Sequence, residues 1–297
     1  MSPLNREDKL AVARKLIPSE EFERVMSFEI KDLGFGYDQF GMEKESLILA
    51  YALARYLHRY WFRVESKGIE NIPLHGPALV VSNHSGTLPI DAAMIAVDIF
   101  KGMDQPRPLR GIVDNFAGFL PFVNVFFYRI GHVIGHLRNF QDLLNAGELV
   151  GVWPEGTHGL GKTFGRRYNL SHFAVGFVEL SLTYRAPIIP TALIGAEEQL
   201  PMIANLIPLA RLLGFPYFPV TPFFPLLGPL GLVPLPCKYH LQYGEPIRFF
   251  DKYGPETVNH PETIRLLADK VRLTIQEMID KGLKQRTSVF GLGEGRP

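Results

Sequence analysis

One histidine and one aspartate stand in the stretch VSNHSGTLPIDAAM, residues 81–94. His84 closes one apolar run and Asp91 opens another, with six residues between them. A histidine can take a proton from a hydroxyl near neutral pH. It does so best when a partner fixes its tautomer and stabilises the charged ring, and Asp91 is the nearest carboxylate. Were residues 84–91 one continuous helix, the two would be about 10 Å apart along the axis and could not touch. Gly86 and Thr87 can turn, however, and Pro89 suits a first helical position. The helix is therefore expected to begin near Pro89, with Asp91 in its first turn and the segment Ser85–Leu88 folding His84 back over it. The alternative is that Asp91 only complements a helix N-terminus and His84 is a polar loop residue.

A second chemistry-bearing piece is VWPEGT, residues 152–157. A carboxylate, a glycine and a hydroxyl follow an apolar run directly. Glu155 can accept from substrate hydroxyls, while Thr157 and backbone N–H groups can hold an anion; an ordinary strand-to-helix turn would also read this way. Residues 129–172 carry Arg129, Arg138, Lys162, Arg166 and Arg167 against Asp142, Glu148 and Glu155, with four histidines. That local excess can meet a phosphate or be a solvated face. His132 and His136 are four apart, but VIG within them reads as strand, so no metal site is expected. No G-x-S-x-G elbow is present, and GLGKTFG opens no convincing nucleotide loop.

The elements that must position these residues alternate. Residues 6–60 read as two or three helices broken at Gly34, Gly36 and Gly41. WFRVESKGIENIP suggests a strand. PALVVSN (77–83), LVGVWPEGT (149–157) and PIIPTALIG (187–195) read as buried strands. PIDAAMIAVDIF (89–100), NFQDLLNAGE (139–148) and SHFAVGFVELSLTYRA (171–186) read as helices. VNVFFYRIGHVIG (123–135) reads as a strand or two, and YHLQYGEPI (239–247) as the last strand. Residues 261–286 form an amphipathic helix with a basic end. The alternation predicts an α/β fold with a mostly parallel central sheet flanked by helices. A helical N-terminal element, residues 1–60, packs on the core or on a membrane, and one domain follows over 61–297. Loops after parallel strands are where such sheets place their sites.

Composition narrows the class. The 297 residues suffice for a sizeable core, and 31 basic against 30 acidic residues give no sign of nucleic-acid binding. The single cysteine, Cys237, fits a reducing compartment. MSPLNREDKLAVARKL has no apolar h-region, so no signal peptide is expected. Residues 43–62 are helical in pattern but too charged to span a bilayer. Residues 212–237 carry no charge, yet their seven prolines and three glycines preclude a continuous helix. They read as a buried loop, or as an apolar lip at a membrane or acyl chain.

NHSGTLPID, GHVIGHLRN, VWPEGTHG and APIIPTALIGAEE, in this order over residues 77–200, resemble the glycerolipid acyltransferase superfamily, the lysophosphatidic-acid-acyltransferase-like group. The likeness extends loosely to YGEPI at 243–247. It implies transfer of a fatty acyl group from an acyl thioester, acyl-CoA or acyl-carrier protein, to a glycerolipid hydroxyl. No cofactor or metal is implied. His84 would be the general base, acting directly without an acyl-enzyme, and Asp91 its orienting partner. Glu155, Gly156, Thr157 and Arg138 would bind the acceptor, with His158, Lys162, Arg166 and Arg167 as further anion contacts. Residues 187–191 match a block that is structural. A backbone N–H near the His84 or PEGT loop would stabilise the oxyanion. The family spaces His and Asp by four residues; six is similar to the mono- and diacylglycerol-acyltransferase-like branch. His158 stands where an Arg often follows PEGT, and Arg138 is displaced, which argues against a phosphorylated acceptor. The alternatives are a lysophosphatidic acid acyltransferase of phospholipid synthesis, a thioesterase, and a non-catalytic lipid-binding relative. The implied location is the cytoplasmic face of a membrane, monotopic and without a spanning helix.

Overall fold

The computed structural model describes residues 4–84, 87–113 and 122–291. A seven-stranded sheet forms its centre. The strands are β1 (Glu65–Lys67), β2 (Ala78–Ser82), β3 (Leu109–Val113), β4 (Val133–Ile134), β5 (Leu149–Val152), β6 (Ile188–Ile194) and β9 (His240–Tyr243). A separate ribbon pairs β7 (Ala204–Asn205) with β8 (Pro219–Val220). The sheet order is β1-β9-β6-β2-β5-β3-β4, parallel throughout except where β6 meets β9. The mostly parallel sheet expected from the alternation is thus present, with β2 inside it between β5 and β6.

Helices cover both faces. They are α1 (Arg6–Leu16), α2 (Ser19–Met26), α3 (Lys44–Tyr56), α4 (Ile90–Gly102), α5 (Val123–Arg129), α6 (Leu137–Asn145), α7 (Thr157–Leu160), α8 (Gly176–Tyr184), α9 (Ala196–Gln199), α10 (Ile207–Leu213) and α11 (Pro261–Gln285). Side chains alternate across a strand, and β2 divides accordingly. Leu79 and Val81 join the cluster capped by Phe177 and Val178 of α8 and by Leu267, Val271 and Ile275 of α11. Ala78 and Val80 join the opposite cluster with Met94, Ile95 and Ile99 of α4. Each of these side chains larger than alanine, wholly out of water, contributes about 1.5–3 kcal/mol, so β2 and α4 are held firmly in the core. The N-terminal helices pack through Ala13, Phe22, Val25, Ile48 and Tyr51 on Val97 and Phe100 of α4.

Three expectations need correction. Residues 123–129 form helix α5, not a strand, and only Val133–Ile134 pairs in the sheet. The β-branched and aromatic run misled because Val125 and Phe126 lie exposed on a surface helix, where context outweighs strand preference. The helix expected over 171–186 begins at Gly176; residues 171–175 precede it without helix, and the Ser171 N–H bonds to Glu155 instead. Of the two readings of 212–237, the buried loop fails: Leu226 is 84 % exposed, and Leu212, Leu227 and Leu230 are also exposed. Among the described residues no helix is long and apolar enough to cross a membrane.

Candidate active site

β2, β5 and β6 run parallel, so their C-terminal ends share one edge of the sheet. From that edge come His84, Glu155 and Glu197. Asn83 prepares the first of these. Its amide donates to the Leu193 carbonyl at 3.0 Å, and its oxygen accepts the Leu193 N–H at 2.9 Å. The side chain thereby copies a strand ladder and locks the end of β2 onto β6, after which the chain turns away at His84.

The six intervening residues do not keep the pair apart. His84 Nδ1 lies 2.7 Å from Asp91 Oδ2. Pro89 is the N-cap of α4, and Asp91 sits in the first turn, wholly buried. Its Oδ1 accepts the Ala92 N–H at 2.8 Å. Ser85 and Gly86, part of the expected turn, lie outside the described residues. Thr87 takes a left-handed φ of 67°, which is uncommon for a β-branched residue. Its hydroxyl donates to the Leu200 carbonyl at 3.1 Å, and its own carbonyl accepts from the Tyr217 hydroxyl. These bonds hold the turn that returns the chain to Asp91. An ionised Asp91 takes the proton-bearing Nδ1 of His84, which leaves the lone pair on Nε2.

Glu155 lies behind the histidine, 2 % exposed. Its Oε1 accepts the main-chain N–H of His84 at 3.2 Å, and its Oε2 accepts the Ser171 N–H at 2.7 Å. An acceptor-binding role for this carboxylate would require an opening in the packing that buries it. Gly156 has φ 55° and ψ −143°, a conformation open to glycine, with no side chain near its missing Cβ. Thr157 is half-buried at the start of α7, and His158 is exposed on it. Trp153 sets its ring 5.7 Å from the His84 ring, tilted by 40°.

The basic residues do not converge. Arg138 lies in the first turn of α6 with its side chain 82 % exposed, 3.8 Å from Asp142. Arg166 and Arg167 are exposed, the latter stacked on Phe164. Lys162, expected among the anion contacts, instead turns inward between Glu155 and Glu197. His132 is spent on the Gly111 N–H at 2.9 Å, and burial drives its pKa down to about 4. Among the described residues no group of three or more His, Cys, Asp or Glu side chains could hold a metal ion.

Glu197 was not singled out by the sequence. Burial lifts its carboxyl to about 7; Lys162 and the Tyr168 N–H oppose the rise, and the charge of Glu155 adds to it. Folded, this group keeps its proton above the ordinary carboxylate range. Its contribution to stability therefore falls as pH rises from about 4.5 to about 7, by an amount on the order of 3 kcal/mol.

Gly159 is another residue that only packing reveals. A Cβ there would lie 2.7 Å from the His84 carbonyl oxygen and 2.9 Å from the His84 Cβ. Gly159→Ala is expected to push His84 off Asp91 and lower turnover by about tenfold or more, and, because the clash is with buried main chain, to cost about 1–3 kcal/mol of stability. Kinetics beside a melting curve would check this; unchanged turnover would mean that the loop yields freely.

The chain is similar to known proteins over much of its length. A family model described as Acyltransferase matches residues 63–194. An uncharacterized protein of Mycobacterium tuberculosis is 42 % identical over 258 residues, covering 86 % of this chain and 72 % of the relative. A human protein named "DGAT1/2-independent enzyme synthesizing storage lipids" is 27 % identical over 224 residues, covering 74 % of this chain and 62 % of that protein. The crystal structure of the 1-acyl-sn-glycerophosphate (LPA) acyltransferase of Thermotoga maritima superimposes with a TM-score of 0.55 at 17 % identity, over 96 % of this chain and 100 % of that one. That likeness concerns the fold.

Proposed function

The chain belongs to the glycerolipid acyltransferase superfamily, and on that premise we propose that it moves a fatty acyl group from an acyl thioester to the hydroxyl of a neutral glycerolipid or related lipid alcohol. The observation that carries this is the 2.7 Å contact between His84 Nδ1 and the buried Asp91 carboxylate at the C-terminal end of β2. His84 Nε2 takes the acceptor O–H proton as the oxygen attacks the thioester carbonyl carbon. The carbon–oxygen bond forms, the carbon–sulfur bond breaks, and the thiolate leaves with the proton from His84. Acyl-CoA or acyl-carrier protein is the co-substrate, and no cofactor takes part.

A neutral acceptor fits the outward Arg138 and the inward Lys162, which leave no arginine fork at the dyad for a phosphate among the described residues. The storage-lipid function in the name of the human relative points the same way. Labelled acyl-CoA offered with monoacylglycerol, diacylglycerol, long-chain alcohol and lysophosphatidic acid tests this. Ester formed on the neutral acceptors is expected; strong preference for lysophosphatidic acid would overturn it.

The protein would reach its acceptor at a membrane surface without spanning it. Leu53, Tyr56, Leu57 and Tyr60 recur at helical spacing on the exposed side of α3 and the turn after it. The Trp61 indole donates to the Pro234 carbonyl at 3.1 Å, so this stripe adjoins the charge-free lip with Leu226 and Leu230. Tyrosines and leucines of this kind sit in the interfacial layer. Liposome flotation is expected to fall about tenfold for the double variant Leu226→Glu, Leu230→Glu, while transfer to a short-chain soluble acceptor holds. Unchanged flotation would remove the lip from the membrane face.

A further inference from the structure

Behind the dyad a buried chain of charges ends on the main chain of His84. Lys162 Nζ lies 3.0 Å from Glu197 Oε1 and 3.3 Å from Glu155 Oε2, and its side chain is 4 % exposed. Glu155 passes the contact on to the His84 N–H. The links come from three strand ends: Glu197 follows β6, Glu155 and Lys162 follow β5, and His84 follows β2. A buried ion cluster is a poor source of stability, because desolvation offsets most of the attraction. Two buried carboxylates sharing one ammonium are poorer still. Such a cluster directly against a catalytic dyad calls for a reason other than stability.

We propose that Lys162 is a positioning residue for acyl transfer: held from behind by Glu197, it fixes Glu155 against the His84 main chain and so sets the angle of the His84 ring to the acceptor hydroxyl. The ammonium is unsuited to meeting a donor or acceptor phosphate, since it is buried and already paired twice. Its place nine residues beyond Trp153 follows from the turn of α7, in which the Gly161 N–H bonds back to the Thr157 carbonyl at 2.9 Å and aims the next side chain inward. Three further polar groups surround the cluster. The Ser171 N–H shares Glu155 Oε2, the Tyr168 N–H lies at Glu197, and the neighbouring Glu198 is occupied by the Tyr168 hydroxyl and by Arg286 at 2.7 Å. Glu198 therefore does not compete for Lys162, and the line from Glu197 to His84 is a single track.

The inference rests on the acyl-transfer reading, and its test separates the two. Lys162→Met and Glu197→Gln are compared with wild type for kcat, for acceptor KM, for melting temperature at pH 8, and for hydrogen exchange of the His84 amide. Lys162→Met is expected to lose about 10- to 100-fold in kcat with acceptor KM held within about twofold. Glu197→Gln keeps the shape and removes a buried charge, so it should melt no lower than wild type at pH 8 and yet lose about tenfold in kcat. In both variants the His84 amide should exchange at least about tenfold faster. A purely structural brace would give the opposite pattern for Glu197→Gln, full activity with full stability, and that result overturns the proposal. Glu197→Gln alone decides the matter if Lys162→Met does not fold. Were wild type to form no ester from any thioester, the transfer reading would fall, and the His84 amide would still judge the brace: unchanged exchange in Glu197→Gln would reject it.

Discussion

His84→Gln is expected to lower ester formation by about 10²–10⁴-fold, the range contributed by a positioned general base, with kcat carrying the loss. Glutamine is preferred to alanine as the first variant for a structural reason. Asp91 is wholly buried, and its Oδ2 bonds to the His84 ring. An alanine at 84 would strip that bond and leave a buried carboxylate short of a partner, at a cost of about 1–3 kcal/mol or more. A glutamine amide can still donate to Asp91 while offering no base. Loss of turnover at an unchanged melting temperature would therefore be chemical in origin. Activity within about threefold of wild type would remove His84 from the proton transfer.

Asp91→Asn should be nearly as severe, about 10²–10⁴-fold in kcat. The substitution keeps the volume and the place in the first turn of α4. It reverses the hydrogen bond, however: an amide NH₂ facing Nδ1 favours the imidazole with its proton on Nε2, and that tautomer cannot accept from the acceptor hydroxyl. Thermal stability should change little, because the Ala92 N–H retains an oxygen partner. Acceptor KM should also stay within about twofold, since Asp91 lies behind the histidine. A rise in KM with kcat intact would instead make Asp91 part of the acceptor pocket.

Local chemistry made parts of this site legible before any coordinates. The apolar β2 run, the glycine and threonine after His84, and Pro89 ahead of Asp91 together specify strand, turn and helix start, and the structure has β2 ahead of His84 and α4 opening after Pro89. The run into Glu155 was readable for the same reason. Other features depend on contacts distant in sequence. Lys162 and Glu197 are 35 residues apart and meet only because β5 and β6 flank β2, so no local pattern tells an inward lysine from a solvated one. Asn83 reads as a loop polar residue until Leu193 is placed beside it. The run 123–129 failed because strand preference reports fit to a half-buried sheet, and this segment lies outside one. Residues 212–237 carry no charge, but hydropathy does not distinguish a surface that faces lipid from one that faces a core.

The central claim is that a His84–Asp91 pair drives direct transfer from a thioester to a lipid alcohol. The most direct measurement follows labelled acyl-CoA in mixed micelles with and without diacylglycerol, wild type beside His84→Gln, with lipid products and protein both examined by mass spectrometry. The expected result is a labelled neutral ester that requires the added alcohol, disappears in His84→Gln, and leaves no acyl group on the protein. Free fatty acid formed regardless of the alcohol, an acylated protein, or equal ester from His84→Gln would contradict it.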